Sequence, residues 1–136
     1  IEDTLTNPED LKEFVDQTKV DCLAVAVGTQ HGVYIAKPKL DFERLNELNE
    51  ISEVPLVLHG GSGTPDDQLQ KAIELGVCKL NIYSEILNAY YSEMKKQLNE
   101  TENMSIWVSV ADKRPIEKMK EVVKEKIRVC SCSNRA

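Results

Sequence analysis

Three short strand-like runs constrain this chain more than anything else in it. They are DCLAVAV at residues 21–27, VPLVLH at 54–59 and VCKLNI at 77–82. A strand wetted on one side alternates apolar with polar residues. The first run is continuously apolar from Cys22 to Val27, which fits a strand buried on both faces, as in a parallel sheet. Between the runs, apolar residues recur at helical spacing. Asn7-Pro8-Glu9-Asp10 has the form of a helix start, and Leu11, Phe14, Val15 and Thr18 follow the period. Asp41 is placed to cap a helix with Phe42, Leu45, Leu48 and Ile51 on one side. Thr64-Pro65-Asp66-Asp67 starts another, with Leu69, Ala72, Ile73 and Leu75 inward and Gly76 as its stop. Ser84 is placed to cap a longer helix through Leu87, Tyr90, Tyr91, Met94 and Leu98. Residues 99–114 read as irregular, with Ile106-Trp107-Val108 a short strand or packed loop. Pro115 opens a last helix, to about Val129.

The order α-β-α-β-α-β-α-α predicts an α/β fold with a parallel sheet. The strand ends fall near residues 28, 59 and 82, and these spacings, about 31 and 23 residues, resemble the βα units of a (β/α)8 barrel, which average ~31 residues in a barrel of ~250. At 136 residues the chain suffices for one domain with a core but not for a closed barrel. Three such units leave open sheet edges and an uncovered face, which invite association. The start, Ile1-Glu2-Asp3-Thr4, has no Met, as expected of a processed or truncated chain.

Composition narrows the partners. Hydrophobic residues at 41% and charged residues at 29% are ordinary globular values. There are 23 acidic and 17 basic residues, for a net charge of −6. Even the densest basic stretch, Lys113 to Arg128, is interrupted by Glu117, Glu121 and Glu125, as on a solvated helix face. Neither nucleic acid nor an anionic membrane is an expected partner. No apolar run approaches the ~18 residues of a membrane span. Cys22 and Cys78, inside apolar runs, read as buried thiols, and Cys130 and Cys132 form a lone C-x-C, a weak metal signal. This cysteine usage fits a reducing cytoplasm.

Ligands of parallel α/β folds sit at the carboxyl ends of the strands, and the polar residues of this chain collect there. Both histidines do so: His31 just after the first strand, His59 at the end of the second. One histidine so placed is more often structural, but two at equivalent positions favour a site. Neutral imidazoles ligate zinc, and a catalytic zinc takes three protein ligands plus an open position. A third ligand therefore comes from elsewhere, or the site is incomplete. Gly60-Gly61-Ser62-Gly63 follows His59 and fits either a tight turn or an anion cradle in front of a helix N-terminus. Asn81-Ile82-Tyr83-Ser84 offers a second helix N-terminus, with Asn81 suited to a carbonyl or hydroxyl oxygen. Gly28, Thr29 and Gly32 complete a polar rim. Lys79 stands two residues before Asn81 and shares its side of the strand. It is either a Schiff-base nucleophile or, more commonly for such a lysine, the partner of a carboxylate or phosphate.

The segments VAVGTQHGVY at 25–34, PKLDF at 38–42, PLVLHGGSG at 55–63 and KLNI at 79–82 closely resemble class II fructose-bisphosphate/tagatose-bisphosphate aldolases. The resemblance runs from about Thr6 to Leu98 and again, more faintly, over the final helix and tail. It implies a TIM barrel of which this chain is the C-terminal three βα units plus an extra C-terminal helix, one partial domain over residues 1–136. It implies an enzyme in which zinc polarises a ketose carbonyl and stabilises an enediolate. His31 and His59 become two of three zinc ligands. Gly32, Gly60, Gly61, Ser62, Asn81, Ile82, Tyr83 and Ser84 become the binding residues for dihydroxyacetone phosphate. A sodium or potassium ion near the glycine-rich loops and a homo-oligomeric full-length protein are further implications.

The chain departs from the family pattern in places. Ser84 stands where Thr is usual, which keeps the hydroxyl. Tyr83 is bulkier than the usual small or acidic residue, and residues 99–114 lack the family pattern. The family's catalytic Asp and first zinc His lie on an earlier strand, before this sequence begins. Two functions are therefore expected alternatives. One is a lyase of carbohydrate metabolism, as in glycolysis, cleaving fructose 1,6-bisphosphate or tagatose 1,6-bisphosphate. The other is a catalytically incomplete fragment or non-catalytic sugar-phosphate-binding module.

Overall fold

The computed structural model describes residues 5–29 and 38–135. The chain divides into two compact units, Ile1–Ile82 and Tyr83–Ala136.

In the first unit α1 (Pro8–Thr18), β1 (Leu23–Val25), α2 (Phe42–Ile51), β2 (Leu56–Leu58), α3 (Asp66–Glu74) and β3 (Val77–Leu80) follow one another. The helix starts obey the local chemistry. The Asn7 side chain accepts from the amides of Glu9 and Asp10, and Asp41 accepts from Arg44, bonds that satisfy otherwise orphaned donors of the first turn. Helix α3 starts within Thr64-Pro65-Asp66-Asp67 as expected; its cap is Pro65, whose side chain has no hydrogen-bonding group to offer the first turn, and the Thr64 hydroxyl donates to the Gly60 carbonyl at 3.3 Å. Gly76, at φ 102°, follows its last turn as expected.

The three strands form a parallel sheet in the order β1-β2-β3. Only the central strand is buried throughout. On the outer strands, burial is confined to Val25 and Val77. This corrects the expectation that Cys22 and Cys78 are buried: both are exposed. Cys22 precedes the first paired residue of β1. Cys78 falls at a register shift on β3, where Leu56 faces Val77 but Val57 faces Lys79. Leu56 and Leu58 of β2, Val27 just past β1, and Leu45, Leu48 and Leu69 of the helices are fully buried. Each such side chain contributes roughly 1.5–3 kcal/mol over an exposed one, so the core fixes where the strand ends stand.

The second unit contains α4 (Ser84–Asn99), α5 (Val108–Ala111) and α6 (Lys113–Val129). The pairs Lys126–Glu85 and Arg114–Glu100 join opposite ends of α4 and α6, so the two helices run antiparallel. Buried Gln97 donates to the Ala111 carbonyl at 2.9 Å, and Arg114 spans Glu93 and Glu100. Of the stretch 99–114 expected to be irregular, residues 100–107 are so, but Val108–Ala111 form a short helix where Ile106-Trp107-Val108 was expected to be a strand or packed loop. α6 begins at Lys113, with Pro115 inside its first turn, where the missing N–H costs nothing. No helix among the described residues is long and apolar enough to cross a membrane.

Candidate functional site

The carboxyl ends of β2 and β3 bring two of the expected residues together, and the register explains how. Leu58 faces Leu80, so the next residues along the parallel pair, His59 and Asn81, become neighbours. Asn81 is fixed through its backbone on both sides: its amide donates to the Leu58 carbonyl at 3.0 Å, and its carbonyl accepts from the Gly61 amide at 3.2 Å. Its side-chain nitrogen stands 3.2 Å from each ring nitrogen of His59. Lys79 completes the row, donating from Nζ to Asn81 Oδ1 at 2.6 Å. Lys79 and Asn81 thus share a side of β3 as expected. The partner of the lysine is an amide, where a carboxylate or phosphate was expected.

Gly61 is a close-approach position. A Cβ there would stand 3.2 Å from Ile82 Cγ1 and 3.3 Å from the Asn81 carbonyl oxygen, so any side chain would push the two strand ends apart. Its amide is committed to Asn81. The residue therefore acts by letting the loop lie against β3 rather than by offering that N–H to an anion. Ser62 and Thr64 are buried within the same turn.

His31 and Gly32 lie outside the described residues. The two ends of their loop are described, and they close on each other. The Asp41 amide donates to the Val27 carbonyl at 2.9 Å. Gly28, at φ 99°, lets Lys39 pass so closely that a Cβ would stand 2.5 Å from its carbonyl oxygen. The Gln68 side chain clamps the returning segment, accepting from the Leu40 amide at 2.9 Å and donating to the Pro38 carbonyl at 3.2 Å. Sequence reasoning missed Gln68. On an amphipathic helix a polar residue is ordinary, and only the position of the loop shows what it does.

Tyr83 and Ser84 open the second unit. Ser84 is the first residue of α4 rather than its cap. The cap is Tyr83, which is 70% exposed and makes no side-chain bond to the helix amides.

His59 suits a metal ion by its chemistry. A neutral imidazole has one nitrogen lone pair, which lies in the ring plane, whereas the equal 3.2 Å distances put the Asn81 amide nitrogen over the ring face. Among the described residues no group of three or more His, Cys, Asp or Glu could hold a metal. At the C-x-C pair, the Cys132 thiol donates to the Cys130 carbonyl at 3.3 Å.

Comparison with known proteins places this arrangement. Residues 1–135 match the family described as fructose-bisphosphate aldolase class-II. The chain is similar to the YdjI aldolase of Escherichia coli K12, with 36% identity and a TM-score of 0.84 over 97% of this chain and 48% of that one. It is similar to a candidate fructose-1,6-bisphosphate aldolase of Coccidioides immitis, with 30% identity and a TM-score of 0.84 over 96% of this chain and 45% of that one. Fructose-bisphosphate aldolase of Campylobacter jejuni shares the fold at 19% identity and a TM-score of 0.76, over 96% of this chain and 46% of that one. The chain spans about half the length of these relatives, and its three parallel βα units are part of a TIM barrel. With the whole of the described sheet and both strand-end loops inside the match, the chain belongs to the class II fructose-bisphosphate aldolase family.

Proposed function

We propose that the full-length protein is a zinc-dependent ketose-bisphosphate aldolase. It reversibly cleaves fructose 1,6-bisphosphate or tagatose 1,6-bisphosphate to dihydroxyacetone phosphate and glyceraldehyde 3-phosphate. Beyond family membership, one observation carries the reading: His59 and Asn81 meet at the carboxyl ends of adjacent strands, within 3.2 Å, where this fold places its chemistry.

In this reading His31 and His59 are two of the three zinc ligands. Zinc, when bound, supplies Lewis-acid polarisation of the ketose carbonyl. Asn81 offers its side chain to a substrate oxygen. Gly32, Gly60, Gly61, Ser62, Ile82, Tyr83 and Ser84 shape the seat of the dihydroxyacetone phosphate moiety, with the hydroxyls of Ser62 and Ser84 as phosphate donors. A sodium or potassium ion beside the glycine-rich loops is part of the same proposal. The acid–base carboxylate and the remaining histidine come from outside this sequence. These 136 residues alone are thus expected to be inactive, and the working form is a cytoplasmic homo-oligomer.

The test uses the full-length protein, stripped with a chelator and reloaded with zinc, with release of dihydroxyacetone phosphate as the readout. Loss of cleavage on stripping and its return with zinc are expected for one of the two bisphosphates. Cleavage that survives the chelator, with inactivation by borohydride in the presence of substrate, would replace zinc by Schiff-base chemistry at a lysine such as Lys79. Sugar-phosphate binding without cleavage in either state would mark a non-catalytic module.

A further inference from the structure

Resting on the aldolase reading, we propose that Gln68 is a positioning residue for the metal site. It fixes where the loop bearing His31 returns to the fold, and so how that proposed zinc ligand stands relative to His59. The return runs through Pro38, Lys39 and Leu40, of which Pro38 and Leu40 are buried. A buried amide or carbonyl needs a hydrogen-bond partner, and Gln68 serves both. A backbone amide only donates and a backbone carbonyl only accepts. The Leu40 amide at 2.9 Å therefore fixes Oε1 of Gln68 as the acceptor, and the Pro38 carbonyl at 3.2 Å fixes Nε2 as the donor. One side-chain amide takes the place of a neighbouring peptide group, and both of its ends are dictated. The two bonds flank Lys39, whose carbonyl oxygen is the atom that Gly28 lets pass. The returning limb is thus held twice, by Gln68 and by the outgoing limb at Val27 and Gly28.

Gln68 is itself anchored. It lies in the first turn of α3 beside Leu69, which is fully buried. The turn before α3 is tied to the glycine loop: the Thr64 amide donates to the Gly61 carbonyl and the Thr64 hydroxyl to the Gly60 carbonyl, each at 3.3 Å. Gly60 follows His59 directly. A short chain of bonds therefore runs from the strand end that carries one proposed ligand to the loop that carries the other. A metal site needs such a link when its ligands come from different segments, because its bond lengths hold to about 0.2 Å. Gln68 touches neither metal nor substrate in this scheme, since its amide is occupied by backbone. Its effect passes through Pro38 and Leu40.

The test uses the full-length protein with Gln68→Leu, Gln68→Ala, Gln68→Glu and, as a control at an exposed position of α3, Gln70→Leu. Hydrogen exchange at the Leu40 amide in zinc-free protein reports the clamp. Zinc affinity, by competition with a chromophoric chelator at a temperature where every variant is folded, reports the site. Gln68→Leu and Gln68→Ala are expected to speed exchange at Leu40 and to weaken zinc binding about 10- to 100-fold, the scale of groups that orient metal ligands. Gln68→Glu keeps the acceptor for Leu40 and gives up the donor to Pro38, so it should retain most of the affinity. Gln70→Leu should change neither. A purely structural role would lower the melting temperature and leave the zinc affinity of the folded variants at the wild-type value, and that result overturns the proposal. Unchanged exchange at Leu40 overturns it as well. Should Gln68→Leu fail to fold, Gln68→Ala removes the same two bonds and decides the question. If wild type and the variants bind zinc equally tightly, the role of Gln68 falls alone. If wild type binds no zinc, the aldolase reading falls and this role falls with it.

Discussion

Residues 5–82 bury Leu45, Leu48, Leu56, Leu58 and Leu69 completely. Among the described residues 83–135, burial extends to little more than Gln97, Ala111, Pro115 and Val129, while Ile116, Val123 and Ile127 stay exposed along α6. The second unit relies instead on polar ties: Gln97 to Ala111, Tyr90 to Asp112, and Arg114 between Glu93 and Glu100. An apolar core tolerates salt and pH and holds the strand ends rigidly enough to carry chemistry. Exposed ion pairs are individually weak and respond to both salt and pH. The difference shows why His59, Asn81 and Lys79 belong to the first unit.

That contrast is broken most sharply in the core. Leu58→Ala, on the fully buried central strand, is expected to cost about 2–5 kcal/mol and to disturb the Leu58–Leu80 register that aligns His59 with Asn81. Val123→Ala on exposed α6 is expected to stay within ~0.5 kcal/mol. Denaturant titration of both variants in the full-length protein makes the comparison, and equal losses would contradict it. Next in size is Gly28→Ala. The left-handed backbone and the clash with the Lys39 carbonyl are expected to cost about 1–3 kcal/mol. Because the strain sits at the stem of the loop bearing His31, zinc affinity should fall along with stability. A fall in stability with unchanged zinc affinity would show that the stem does not govern the loop.

The smallest effect is expected at Arg114→Met, and its pH dependence is the informative part. The hydrogen bond from Arg114 holds the Glu100 carboxyl below its ordinary range, with nearby positive charge adding to this. A depressed carboxylate stabilises the fold above its unfolded pKa, about 4.3. That contribution disappears as pH falls through the lower folded value. The stability gap between wild type and Arg114→Met should therefore be present at neutral pH, close as pH falls through the depressed folded value, and narrow in high salt. A gap that persists in acid would assign the role of Arg114 to packing rather than charge.

Much of the first unit was legible because its signals are local. Strand-like runs marked the strands, Asn7 and Asp41 marked helix starts, and Gly76 marked a stop. The cysteines misled because a run in sequence does not say which strands lie at the sheet's edge: burial belongs to β2 and is partial on its neighbours. Ser84 misled because a hydroxyl before a helix looks like a cap, whereas the turn places Tyr83 there. The helix at Val108–Ala111 is too short for periodicity to reveal. At the site, His59 and Asn81 were each visible as strand-end residues. Their contact, the lysine behind it and the Gln68 clamp depend on register and loop position, which no local pattern encodes.

In the proposed reading His59 is a zinc ligand of a working aldolase. Zinc binding by competition with a chromophoric chelator, measured beside ketose-bisphosphate cleavage in full-length wild type and His59→Ala, tests it most directly. The expected result is loss of both tight zinc binding and cleavage in the variant, with the fold retained. Wild-type zinc affinity and turnover in His59→Ala would contradict the claim.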